Sequence, residues 1–455
     1  MKNFNTPSRR GFLKLATGAL APIAGFTRFG AMNAFAQQGQ QSDYKALVCI
    51  FLFGGNDGHN TVIPQTQAQF NAYKAARGSL ALPDQNTPIL PVSALNGTPY
   101  ALNGGLQAIH PYWTQQKLAM VANVGNIVQP TTRAQYQASA VALPTNLFSH
   151  SDQVIQMQTA TPSGSGGTGW AGRVADFVQP MNGNAVFPSS ISMSGQQIFC
   201  AGNVVQSASL LPGYDMTPSG MSIWPAAHSA ARQQALQEIL TMDSGAAVIQ
   251  TANKVRQDAT TLSAVLKSAA NGTPLATVFP GTQLGQQLKQ VAQIIQMRNT
   301  IGVKRQVFFC SIGGFDTHGS QSWAHWDLLK QVAQAMQAFY QATEEMAIAN
   351  NVTAFTESEF GRTLQPSGSG SDHGWGSHYM VLGGSVVGGD MYGQFPNMAL
   401  GGPDDTGNRG ALLPTTSLDQ YGATMARWFG VPDASLTSLF PNLNNFAVKN
   451  LGFLG

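Results

Sequence analysis

From Ala46 to Phe53 every position is apolar, and the run stops at Gly54-Gly55. A strand with one wet face alternates apolar and polar residues, so an unbroken run predicts a strand, residues 45–53, buried on both faces. Residues 305–311 have the same character and stop just before Gly313-Gly314. Residues 118–124, 352–355 and 379–382 are shorter examples. Between these runs, apolar residues recur at helical spacing over 66–76, 106–116, 322–349 and 418–429. Strands alternating with helices predict an α/β fold, a mostly parallel sheet with helices on both faces. In such sheets ligands bind beyond the carboxyl ends of the strands.

The middle of the chain breaks this rhythm. Residues 160–225 are rich in Gly, Ser, Pro and Met, and helical patterns follow at 234–242, 246–268 and 284–297. The segment 161–300 therefore reads as an inserted cap or helical segment between two parts of the α/β core, residues 45–160 and 301–455. Thr168-Gly169-Trp170 has the look of a turn leading into a helix. The length allows two or three domains, or one large domain with insertions.

Residues 1–36 stand outside this pattern. Ser8-Arg9-Arg10-Gly11-Phe12-Leu13-Lys14 precedes a modestly apolar stretch and Ala34-Phe35-Ala36, the order of a twin-arginine signal and its cleavage site. The expectation is export by the twin-arginine machinery to the periplasm or beyond. No later run is long enough to span a membrane. Removing residues 1–36 takes away five basic residues (Lys2, Arg9, Arg10, Lys14, Arg28) and no acidic one, leaving 19 basic against 21 acidic. A near-neutral chain without a basic tract gives no footprint for nucleic acid. Cys49, Cys200 and Cys310 are an odd number, two of them inside predicted buried strands, and read as small core residues and not as a disulfide framework.

The candidate chemistry gathers at predicted strand ends. Gly54-Gly55-Asn56-Asp57-Gly58 follows the first strand, Gly313-Gly314-Phe315-Asp316-Thr317-His318-Gly319 follows the 305–311 strand, and Ser371-Asp372-His373-Gly374-Trp375-Gly376-Ser377-His378 leads into the 379–382 strand. Carboxylates mixed with neutral imidazoles suit Zn²⁺, Mn²⁺ or Fe better than Ca²⁺ or Mg²⁺. Glu357 and Glu359, two apart after the 352–355 strand, are expected to share a face and to add a ligand or orient a histidine. Arg362 and Asn56 are candidates for substrate binding or support, although an Arg362–Glu359 ion pair is the simpler account. His59 is placed near the Asp57 turn; His110, His228 and His325 lie on helical patterns and read as structural. Asp404 and Asp405 sit in a turn that suits Asx turns or calcium.

Together with the Ser-Arg-Arg-x-Phe-Leu-Lys start, the strings Gly-Gly-Asn-Asp-Gly, Gly-Gly-Phe-Asp-Thr-His, Ser-Glu-Phe-Gly-Arg-Thr and Asp-His-Gly-Trp-Gly resemble the domain of unknown function 1501 family, itself similar to the sulfatase and alkaline phosphatase superfamily. The resemblance covers essentially the whole chain after residue 36. It implies two metal ions at the strand ends, one held by Asp57, Asp372 and His373, the other by Asp316, His318 and His378. Two departures stand out: Asp316-x-His318 is tighter than the Asp-x-x-x-His of the phosphatases, and the nucleophile position is unclear. The nearest equivalent is Phe148-Ser149-His150-Ser151-Asp152, with Ser149 as nucleophile and His150 as acid/base or extra ligand. Ser149 as the cap of a helix starting near Asp152 is the simpler account, and a metal-activated water can replace the serine. No Cys-x-Pro-x-Arg string occurs, which argues against a formylglycine mechanism.

Two functions follow as expectations. One is an exported metal-dependent hydrolase of a phosphate or sulfate ester, with one or two divalent ions, zinc or manganese foremost. The other is an exported scaffold or glycan-binding protein that keeps the fold without the chemistry.

Overall fold

The computed structural model describes residues 43–185, 187–213, 224–242 and 273–455, with scattered residues between 243 and 272. The expected signal, residues 1–36, and most of the 246–268 helical pattern lie outside the described residues. The described strands are β1 (Lys45–Leu52), β2 (Val62–Pro64), β3 (Ile89–Ser93), β4 (Pro99–Asn103), β5 (Leu118–Gly125), β6 (Ser190–Ser192), β7 (Ala208–Ser209), β8 (Arg305–Ile312), β9 (Val352–Glu357), β10 (Arg362–Ser367), β11 (Gly370–His373), β12 (Ser377–Gly383), β13 (Met391–Tyr392) and β14 (Thr416–Ser417). Nine of them form one sheet in the order β13-β5-β12-β9-β1-β8-β6-β7, with β14 also paired to β5. β1 runs parallel to β8 and β9, while β12 runs antiparallel to both β9 and β5. The sheet is therefore mostly parallel, as the apolar runs predict.

The unbroken pattern of β1 has a direct cause. Ala46, Val48, Ile50 and Leu52 enter one core, and Leu47, Cys49 and Phe51 enter the other. Helices cover both faces, and those used below are α1 (Gly58–Thr61), α2 (Gln67–Arg77), α3 (His150–Thr159), α4 (Trp170–Val178), α5 (Gln283–Gln296), α6 (Gln321–Glu345) and α7 (Leu418–Phe429). α5 and α6 supply Leu288, Val291, Val332 and Met336 to the first core, and α4 and α7 supply Trp170, Val174, Tyr421 and Phe429 to the second. Each such side chain contributes roughly 1.5–3 kcal/mol by leaving water.

Three details differ from the patterns. The 106–116 pattern does not make one helix: Pro111 has no N–H to donate, so the chain forms a 3-10 turn at Gly104–Ala108 and a one-turn helix at Pro111–Thr114. α6 stops at Glu345, and a separate 3-10 turn, Ala349–Asn351, leads into β9. Within 161–300, β6 and β7 extend the main sheet beyond β8, and α5 packs into the same core as β1 and β8. The three cysteines are free and buried. Among the described residues no helix is long and apolar enough to cross a membrane.

Candidate metal centre

β1 and β8 end side by side, and Gly54-Gly55 lets their continuations meet. Gly54 and Gly55 have φ of 117° and 86°, in the region that favours glycine. A Cβ on Gly54 would lie 2.2 Å from the backbone nitrogen of Asp316. Gly54 N–H donates to Glu359 Oε1 at 2.7 Å, tying the loop after β9 to the same point.

Asp316 is the hub of what gathers there. Its Oδ1 accepts from Arg362 Nη1 at 2.7 Å and lies 3.0 Å from His318 Nε2 and 3.3 Å from His373 Nε2. Its Oδ2 lies 3.5 Å from His150 Nε2. His150 opens α3, His373 closes β11, and Arg362, at the start of β10, pairs across the hairpin with His373. Ligand atoms of His150, Asp316 and His373 all lie within 4.8 Å of one another.

The far nitrogens of the imidazoles are as telling. His150 Nδ1 is 2.8 Å from Glu359 Oε1, His373 Nδ1 is 2.8 Å from the Phe148 carbonyl, and His318 Nδ1 faces Asp372 Oδ1 at 3.5 Å. A proton on Nδ1 of His150 and of His373 would go to these oxygens and leave each Nε2 lone pair facing Asp316, the arrangement in which outer partners fix a metal-binding histidine. His318 and His373 Nε2 then stand 3.1 Å apart. Two lone pairs at that distance repel unless a proton or a cation lies between them. The donor set, two to three imidazoles and one carboxylate, fits a single Zn²⁺ or Mn²⁺.

The electrostatics of the three groups differ. Burial raises the Asp316 pKa, but the Arg362 hydrogen bond and charge outweigh it and hold the carboxyl below its ordinary value. Burial lowers the His373 pKa, favouring the neutral ring a metal needs, whereas the hydrogen bond His150 makes to the Glu359 carboxylate raises that of His150. Phe148 has φ of 71°, uncommon for a bulky residue, in the loop whose carbonyl receives His373.

Several expected members belong elsewhere. Asp57 does not join Asp372 and His373. It caps α1, its Oδ1 accepting from the backbone of His59 and Asn60 at 3.1 Å each, while Arg77 and Gln321 take its Oδ2. Fully buried, it has both oxygens committed inside the protein; burial raises its pKa, and the charge and hydrogen bond of Arg77 together with His325 and His59 more than offset this. His378 does not join Asp316 and His318. β12 turns it inward, where it accepts from Asn123 N–H at 2.9 Å and stacks on Phe395. His59 and His325 are buried beside Asp57, His325 bonding Asn56 Oδ1 at 3.0 Å, so Asn56 also serves this closed cluster.

Glu357 and Glu359 do not share a surface. Glu357, the last residue of β9, is registered with Phe51 and lies in the second core beside Trp170, where burial pushes its pKa well above the usual carboxylate range. Glu359 lies past the strand end, where the chain has turned toward His150. Arg362 pairs with Asp316 and not with Glu359. Asp372 bonds Arg409 at 2.8 Å and meets the site only through His318. Ser149 occupies the N-cap position of α3, which starts at His150, yet its Oγ donates to Asp152 at 2.5 Å and accepts from no backbone N–H of the helix. A hydroxyl held by that carboxylate has no base from the site against it. Asp405 accepts from Gly401 and Gly407 N–H, an ordinary turn.

The sequence did not point to the Phe148 carbonyl, Arg409 or the Arg77–Gln321 grip on Asp57. A backbone carbonyl has no residue signature, and neither arginine stands in a motif.

A family model described as "Protein of unknown function (DUF1501)" matches residues 44–429, a span that includes every residue of both clusters. No curated protein matches the chain.

Proposed function

The chain belongs to the DUF1501 family, and from its own residues we propose that it is an exported metal-dependent hydrolase of a phosphate or sulfate ester, working at one metal ion held by His150, Asp316 and His373. The observation that carries this reading is the convergence of three Nε2 atoms on Asp316 with each Nδ1 turned to an oxygen. His318 stands close enough to be a fourth ligand. The alkaline phosphatase and sulfatase likeness of the sheet, and export through the twin-arginine signal to the periplasm or beyond, are parts of the same proposal.

A divalent ion held there supplies a Lewis acid for an ester oxygen and makes water a competent nucleophile near neutral pH. The chain's own residues do the rest. Glu359 and the Phe148 carbonyl fix the two imidazoles, and Arg362 fixes and ionises Asp316. Arg409, half exposed beside Asp372, offers charge to an anionic group. Water is the nucleophile in this reading because Ser149 is engaged with Asp152.

One observation favours the second reading, a scaffold or glycan-binding protein without turnover. Asp57, a ligand in the phosphatase-like scheme, is consumed by Arg77 and Gln321. The deciding experiment is elemental mass spectrometry on natively exported protein, followed by an ester screen with and without metal. About one equivalent of zinc or manganese, lost in an Asp316→Ala, His373→Ala variant together with turnover, supports the hydrolase. Bound metal with no turnover of any phosphate or sulfate ester supports the scaffold.

A further inference from the structure

We infer that the organic half of the substrate carries a flat apolar group of aryl size, seated against Phe53 and Val154 beside Asp316. This rests on the metal-centred reading above and concerns the half of the ester which that reading leaves open. A shallow, open cleft of about 460 Å³ lies at the joint ends of β1 and β8.

The cleft has two chemical halves. His150, Asp316 and Glu359 line one; Phe53, Val154 and the glycines 313 and 314 line the other. α3 contributes to both, since Val154 stands one turn after His150 and falls on the same face. The Phe53 ring is backed by Phe51 at 4.6 Å and Phe309 at 6.5 Å between centroids, so it is a fixed wall. Away from the candidate ligands and Glu359, Ser151 is the one polar side chain among the described lining residues. A hydroxyl-rich group would enter that half with few partners, and burying unpaired polar groups is costly.

Gly313 lines the cleft and is exposed. A Cβ built on it meets nothing within 4 Å, and its φ lies outside the left-handed region. Neither crowding nor backbone geometry demands glycine at this exposed position. A leucine there is the substitution expected to crowd the apolar half.

The test is calorimetric titration of the zinc- or manganese-loaded chain with phenylphosphonate against methylphosphonate, and with benzenesulfonate against methanesulfonate. We expect the aryl member of the preferred pair to bind at least about tenfold more tightly, the phosphorus and sulfur arms showing which anion the site takes. Gly313→Leu should abolish the aryl preference, and Phe53→Ala should reduce it severalfold. Metal content and thermal melting measured on both variants ensure that a misfolded protein is not read as a blocked cleft. Equal aryl and methyl affinity in metal-loaded wild type overturns this inference and leaves the metal reading standing. So does an aryl preference that survives Gly313→Leu in a folded, metal-loaded variant. Protein that retains no metal overturns both.

Discussion

Two clusters of matching composition lie at neighbouring strand ends of this molecule. Asp57, Arg77, His59, His325 and His378 form one; Asp316, Arg362, His150, His318 and His373 form the other. Each pairs an aspartate with a fully buried arginine and surrounds it with three imidazoles. Their difference is access: the Asp57 side chain is 0% exposed and that of Asp316 is 44% exposed. In the closed cluster four donors occupy both carboxylate oxygens. In the open one Arg362 takes Oδ1 and the other oxygen faces His150 and the cleft. Charge balance is common to both, so what separates a structural polar core from a candidate metal centre is which lone pairs remain uncommitted.

Arg77→Met leaves the buried Asp57 charge unpaired. Removing one partner of a buried pair costs about 3–5 kcal/mol, and urea denaturation should show it. A loss below about 1 kcal/mol would mean that Asp57 reaches water after all.

Acid should find the closed cluster next. Burial holds the pKa of His59 and of His325 at about 4, against 6.5 for the exposed ring. As pH falls the unfolded chain takes up these protons first, so stability is complete above about 6.5 and is lost between there and 4. The slope is about 1.4 kcal/mol per pH unit for each histidine. His59→Leu should flatten it by about one histidine's worth in urea titrations at pH 7, 6 and 5; an unchanged slope would contradict a buried neutral ring.

In the open cluster the same kind of change should act on metal as well as on folding. Asp316→Asn should weaken zinc binding by more than the ~10–100-fold typical of a supporting residue, and should also lower metal-free stability, because the buried Arg362 loses its carboxylate partner. Competition with a chelator and a paired melt would measure both. Glu359→Gln, which alters the orienting partner of His150, should cost about 10–100-fold in the same competition. If it left affinity intact, His150 would not be a ligand positioned through its Nδ1.

Ser149→Ala should do least. Its hydroxyl touches Asp152 and Ser151 outside the cluster, so stability should move by less than about 0.5 kcal/mol and any ester turnover by less than about twofold. A collapse of turnover would restore the serine as nucleophile.

How far the chain could be read in advance follows from what a sequence encodes. The two-sided burial of β1, β8 and β9 was visible as unbroken apolar runs. α7 was legible to its ends because Ser417 and Gly430 close it. Glycine turns after β1 and β8 lie beside the place where Asp316, His150, His318 and His373 come together. They could not say that α1 would turn Asp57 inward or that β12 would point His378 into the interior, because position along a strand end does not specify which way the chain next bends. Partners such as Arg77, from a helix twenty residues on, decide that.

The contact at Gly54 also offers a reporter. Its amide hydrogen bonds to the carboxylate of Glu359, which at the same time holds His150, so one backbone proton senses whether the loops after β1 and β9 and the start of α3 are together. In an NMR spectrum that glycine should resonate well downfield of ordinary glycine amides and exchange slowly with solvent. Adding a metal ion or an inhibitor could then be followed at a single assigned peak, without labelling any residue of the centre itself.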